Sequence, residues 1–149
     1  MPIGELCSRE VVFVRREDSI REAAQLMRQH HVGDVLVVDE KDAQRVPVGI
    51  VTDRDIVVEV VAKNVDLDVV TVGDIMSFQL VSARDTDGVY ETIQLMRIKG
   101  VRRLPIVNAR GGLVGILALD DIIELLAEEL SALAKVIARE QAQEKKKKV

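Results

Sequence analysis

Residues 47–57 read PVGIVTDRDIV, and residues 113–123 read LVGILALDDII. In each, a Val-Gly-Ile strand ends and an acidic stretch opens a helix. The two stretches match at an offset of 66, so the chain repeats itself. Working outward extends the match: residues 3–39 align with residues 72–108 at a constant offset of 69. The opening IGELCS (3–8) faces VGDIMS (72–77), EAAQLMR (22–28) faces ETIQLMR (91–97), and Val32 faces Val101. The change of offset falls between two strands, where the first repeat spends Glu40 to Val46 and the second Ala109 to Gly112. A period of this length is the signature of a fold built from repeated units.

Each repeat predicts the order β-α-β-β-α. A short turn (Ile3–Cys7, Val72–Met76) precedes a short strand (Val11–Val14, Leu80–Ala83). A helix follows over Ser19–His30 and Gly88–Ile98, where Ile20, Ala23, Ala24 and Met27 and their counterparts Val89, Thr92, Ile93 and Met96 fall at helical spacing. Asp18 or Ser19 is expected to cap the first helix and Asp87 the second. Two strands come next, Val35–Val38 with Val48–Val51 and Leu104–Val107 with Leu113–Leu117. Closing helices start near Asp53 and Leu119. A unit of about 60 residues can hardly bury its sheet alone, so the fold class expected is α/β (α+β), with the two repeats packed sheet to sheet. The expected division is 1–66 for the first repeat, 67–130 for the second and 131–149 for a helical extension with a Lys-rich tail.

The last helix is expected to run to about Gln143. Ile122, Leu126, Leu130, Leu133 and Ile137 form one apolar stripe along it. Either its own domain covers this stripe or a second copy or another partner does; a homodimer is the expectation. The run Lys145–Lys148 reads as a solvated tail that complements the helix C-terminus.

Composition narrows the function. The net charge is −4 and the pI about 5.3, an acidic balance that argues against nucleic acid or an anionic membrane as partner. Phe13, Phe78 and Tyr90 are the whole aromatic set, too few to stack single-stranded bases. The start of the sequence does not read as a signal peptide, and the longest apolar run, 113–119, falls far short of the roughly 20 residues of a membrane span. One cysteine, Cys7, cannot make an internal disulfide. A cytoplasmic protein is expected.

Catalytic motifs do not emerge. The sequence has no GxxxxGK[ST], GxGxxG, CxxC or HExxH. The repeat also argues against a reactive role for the histidines and the cysteine: His30 faces Lys99, His31 faces Gly100 and Cys7 faces Met76. Two adjacent histidines without a third ligand make no metal site. Position 7 reads as an apolar packing site.

What remains is Thr52-Asp53-Arg54-Asp55. Thr52 and Asp55 have the spacing of a capping box, a purely structural role. The same geometry also serves a ligand: a helix N-terminus favours anions, an ionised Asp offers two acceptor oxygens to the vicinal hydroxyls of a ribose, and Thr52 adds a hydroxyl. Both readings stand on the sequence.

These stretches resemble the paired CBS domains, named after cystathionine β-synthase. The resemblance is carried by HVGDVLVVDE (31–40) with VGIVTDRDIV (48–57), by GVRRLPIVN (100–108) with LVGILALDDII (113–123), and by the turns IGELC and VGDIM; it covers about Ile3 to Leu130. It implies a tandem CBS-domain pair with pseudo-twofold symmetry and two clefts between the repeats. Such clefts commonly take AMP, ADP, ATP, NAD or S-adenosylmethionine, and the pairs usually regulate an attached or associated protein and catalyse nothing. Residue by residue, Thr52 and Asp55 match the family's hydroxyl and ribose-binding acid. Arg102 and Arg103 match its phosphate contacts and resemble the basic pair of the nucleotide-sensing subunit of AMP-activated protein kinase. In the other cleft Asp121 matches the acid, but Ala118 replaces the hydroxyl, and Gly33 and Asp34 replace the cations. The resemblance therefore implies a working site of Thr52, Asp55, Arg102 and Arg103, with Val12, Val14, Val32 and Ile50 as apolar walls and AMP as the leading ligand. It implies a second, weaker site of Asp121, Gly33 and Asp34, since an extra carboxylate repels phosphate. The competing expectation is an interaction module whose ligand site has decayed.

Overall fold

The computed structural model describes residues 1–147. The chain divides into two compact units, Met1–Leu117 and Ala118–Val149. The first holds a short opening turn, Ile3–Glu5, then β1 (Phe13–Val14), α1 (Ile20–His30), β2 (Asp34–Lys41), β3 (Gln44–Thr52) and α2 (Asp53–Ile56), which continues as a wider π turn over Val57–Val61. It goes on through α3 (Val72–Ile75), β4 (Ala83–Arg84), α4 (Val89–Lys99), β5 (Arg103–Val107) and β6 (Leu113–Ala118), whose last residue already counts with the second unit. The second unit is α5, Leu119–Lys147. Lys148, expected in the tail, lies outside the described residues.

The β-α-β-β-α order appears twice, as two three-stranded sheets, β1-β2-β3 and β4-β5-β6. In each the short first strand runs parallel to the middle one, Val14 beside Val37 and Arg84 beside Val107. β2 is buried on both faces. Val35 and Val37 join Val14, Ile20, Ala23, Met27 and Val51 in the helix-side core, while Leu36 and Val38 are buried on the opposite face. A strand without a polar face belongs between two layers.

Three local expectations are corrected. The stretch Glu40–Val46 is not a loop: the strands run on to Lys41 and from Gln44, closed by Asp42 and Ala43, both at positive φ (52° and 62°). Two positive φ angles give a tight hairpin turn whose twist matches the strands. Of the two expected helix caps, Ser19 holds and Asp87 does not. Ser19 Oγ accepts from the Glu22 amide at 3.1 Å, but α4 starts at Gly88 with no side-chain cap. Asp18 and Asp87 close the preceding turns instead, each accepting the amide three residues before it, of Arg15 at 2.8 Å and Arg84 at 3.0 Å. The first strands are shorter than expected because they lie at the sheet edges, where few residues reach a partner.

The repeats exchange their opening turns. The Ile3 amide donates to Asp87 O at 2.9 Å and Ser8 bridges Ile116, so the first turn closes on the second sheet. The Val72 amide donates to Asp18 O at 2.8 Å and Ser77 bridges Ile50, so the second turn closes on the first sheet. The pairs are equivalent under the sequence repeat. They explain the glycine of Val-Gly-Ile: a Cβ on Gly49 would stand 2.8 Å from Ser77 O, and one on Gly115 would stand 2.4 Å from Ser8 O.

In α5, Ile122 is buried, but the other four residues of the expected stripe, Leu126, Leu130, Leu133 and Ile137, are 47–68% exposed, as is Ile123 at 55%.

Candidate functional site

β3 ends at Thr52, and α2 begins at the next residue. Thr52 Oγ1 accepts from the Asp55 amide at 3.1 Å, and Asp55 Oδ2 accepts from the Thr52 amide at 3.0 Å. The capping box read from the spacing is therefore formed in full. It is not peculiar to this position. The Thr71 amide likewise donates to Asp74 Oδ2 at 3.0 Å, and in α5 Asp121 Oδ2 accepts from the Ala118 amide at 3.1 Å. Capping alone thus does not distinguish Asp55 from Asp74 or Asp121. What distinguishes it is its surroundings, and the hydroxyl that Ala118 lacks.

Those surroundings are built by strand register. Asp34, first in β2, stands opposite Thr52, last in β3. The Asp53 amide donates to Gly33 O at 2.9 Å, tying the start of α2 to the residue before β2. Arg103, first in β5, brings its Nη1 to 3.7 Å from Asp34 Oδ1. Both side chains are partly exposed, Arg103 more than Asp34. Burial pushes the Asp34 carboxyl above its ordinary range, the Arg103 charge partly offsets this, and the Asp53 carboxylate adds to it. Arg102, next to Arg103, is exposed.

The structure thus brings Thr52, Asp55, Arg103, Gly33 and Asp34 to one corner. Asp34, expected beside Asp121, is paired with a cation expected in the other cleft. Asp121 lies in the second unit, within α5. The four expected wall residues divide. Val14 is 2% exposed in the helix-side core, with Val12 packed against that core. Ile50 pairs with Leu36 on the other face of the sheet, and Val32, half-buried, ends the turn after α1 by donating to Met27 O. Val14 therefore offers no surface to a ligand, and its role is packing.

Sequence reasoning passed over Asp53. Its carboxylate caps the Arg54 amide at 2.8 Å and acts on Asp34. The signal was available: the repeat sets Asp53 against Leu119, an acid that the second repeat does without.

Chemically, the corner holds hydrogen-bond acceptors and a hydroxyl next to one arginine, with a second arginine beside it in sequence. That set suits a ligand carrying both hydroxyls and negative charge. Among the described residues no group of three or more His, Cys, Asp or Glu is arranged to hold a metal ion, and no helix is long and apolar enough to cross a membrane.

Comparison with known proteins agrees with the repeat. The family model described as CBS domain matches twice, over residues 3–62 and 72–128. The protein MK0525 of Methanopyrus kandleri is 39% identical over 123 residues, 83% of this chain and 61% of that protein, so the chain spans under two thirds of that relative. The CBS domain-containing protein YhcV of Bacillus subtilis is 38% identical over 80% of this chain and 81% of its own length. Among solved structures, the CBS domain protein PAE2072 of Pyrobaculum aerophilum, complexed with AMP, is similar with a TM-score of 0.71 and 30% identity over 86% of this chain and 99% of that one.

Proposed function

The chain belongs to the CBS domain family, as two consecutive copies, and on that premise we propose that it is a non-catalytic regulatory module that takes an adenine nucleotide, AMP first, at the corner of Thr52, Asp55, Arg102 and Arg103. One observation carries the reading: strand register sets the Thr52–Asp55 box beside Asp34, and Asp34 is in contact with Arg103. In this reading the Asp55 carboxylate holds the ribose hydroxyls with the lone pairs that the Thr52 amide leaves over. The Thr52 hydroxyl, whose oxygen accepts from the Asp55 amide, keeps its proton to donate. Arg103 leaves Asp34 for the phosphate, and Arg102 adds a second charge. The AMP complex of the Pyrobaculum relative supports the ligand class. The output is a change of shape or association, read by a regulated partner protein or by a second copy of the chain.

The Arg103–Asp34 contact also favours a second reading, an interaction module in which Arg103 serves as an internal ion-pair partner and no nucleotide binds. A thermal-shift panel of AMP, ADP, ATP, NAD and S-adenosylmethionine separates the two. A ligand at 100 times its dissociation constant adds about 2.7 kcal/mol of stability, about 5–10 °C in melting temperature for a chain of this size. A panel in which none of the five moves the transition removes the nucleotide reading.

A further inference from the structure

We infer that α5 is an interface for a second copy of this chain, and that the two α5 helices pair antiparallel. This stands apart from the nucleotide reading, because it rests on other residues. Ile123, Leu126, Leu130, Leu133 and Ile137 follow one another at spacings of three, four, three and four residues, the heptad seam of a two-helix coiled coil. All five are 47–68% exposed. Ala127 and Ala134 flank the seam, small enough for a close approach.

Charge decides the occupant and its direction. The N-terminal half of the helix carries Asp120, Asp121, Glu124, Glu128 and Glu129 and no base. The C-terminal half carries Lys135, Arg139, Lys145, Lys146 and Lys147 against Glu140 and Glu144. A parallel pair sets acid against acid and base against base. An antiparallel pair sets each acidic half against a basic half and opposes the two helix dipoles. The helix is therefore complementary to itself reversed. Layering the seam in that direction puts Leu130 against the second copy's Leu133, and Leu126 against its Ile137. The centre of the pair falls between Ser131 and Ala132.

The test uses the full chain. Light scattering at tens of micromolar gives a dimer mass for the natural sequence and a monomer mass for Leu130→Glu/Leu133→Glu. Both positions are exposed, so circular dichroism of the variant keeps the natural spectrum. Spin labels then read the direction, on Cys7→Ala protein shown to keep the dimer mass. With a rise of 1.5 Å per residue, labels at Gln143 of the two copies stand about 35 Å apart in the antiparallel pair and under about 20 Å in a parallel one. Labels at Ser131 stand close in either. A monomer mass for the natural chain, a dimer mass for the double variant, or a short distance at Gln143 overturns the proposal.

Discussion

Arg103 Nη1 lies 3.7 Å from Asp34 Oδ1, and Asp34 in turn stands across the sheet from Thr52. At that separation the charges attract without a short charge-assisted hydrogen bond. Asp34 is also a reluctant anion, since burial and Asp53 raise its pKa by more than Arg103 lowers it. An arginine held by such a partner is readily drawn to a better one. A phosphate, with more charge and more acceptor oxygens, is a better one.

Replacing Asp34 by Asn tests this relationship. The raised pKa means that the contribution of Asp34 to stability is fully present below about pH 3.8, its ordinary value, and is lost as pH rises through the raised one. At neutral pH the carboxylate is therefore a burden. Asp34→Asn is expected to leave the melting temperature at pH 7 unchanged or raised, and to flatten the dependence of stability on pH above about pH 4. AMP affinity is expected to rise about 2- to 10-fold, because the carboxylate no longer competes for Arg103. Calorimetric titration at pH 7 with a melting series in pH checks both; weaker AMP binding would show that Asp34 assists the ligand.

Arg102 and Arg103 carry the phosphate in this reading. AMP should then bind better than adenosine, with an advantage that shrinks as salt rises. Replacing both arginines by Ala should erase the advantage and leave adenosine affinity within about threefold, equivalent to under 1 kcal/mol. If the double variant still prefers AMP, the phosphate is held elsewhere.

Asp55 and Asp121 share a capping geometry, each accepting the amide three residues earlier at 3.0–3.1 Å. Changing either to Asn should cost a similar, small amount of stability, at most about 1 kcal/mol, since Asn also caps. Binding separates them. Loss of the Asp55 carboxylate should weaken AMP by roughly 10- to 100-fold, whereas Asp121→Asn should leave the tighter site nearly unchanged. Equal losses in calorimetric titration would mean that the ribose does not sit at Asp55.

Gly115→Ala probes the exchanged turns. Its Cβ would stand 2.4 Å from Ser8 O and 2.8 Å from Cys7 Sγ. Backbone on one side and a buried side chain on the other leave it no room, and a loss of about 1–3 kcal/mol or more is expected in urea denaturation. Gly49→Ala should cost less, because its closest contacts, Met76 Sδ and Ser77 O, begin at 2.8 Å.

His31 ends α1 in the left-handed region at φ 55°, where Gly100 ends α4 at φ 65°. Glycine takes this conformation without a Cβ penalty. His31→Gly should therefore raise stability by about 0.5–1 kcal/mol, seen as a rise of about 1–4 °C in melting temperature. A fall would mean that the His31 side chain makes a contribution larger than its backbone strain.

Much of this protein was legible in its order of residues. The offset match between 3–39 and 72–108 already set two β-α-β-β-α units, because helix and strand periods are local and repeat with the sequence. The Thr52–Asp55 box was legible for the same reason, since both partners lie within one turn. The exchange of turns was not. Ser8 and Ile116 are far apart in the chain, and the glycine that allows their pairing reads in sequence as an ordinary strand residue. Nor was the company of Arg103. The resemblance alone set it with Thr52 and Asp55, and its meeting with Asp34 depends on how β2, β3 and β5 come together. Residue types and their local spacing determined the elements and the chemistry on offer. Tertiary structure alone decided which charges meet, because that depends on strand register and backbone approach between segments that no local pattern relates.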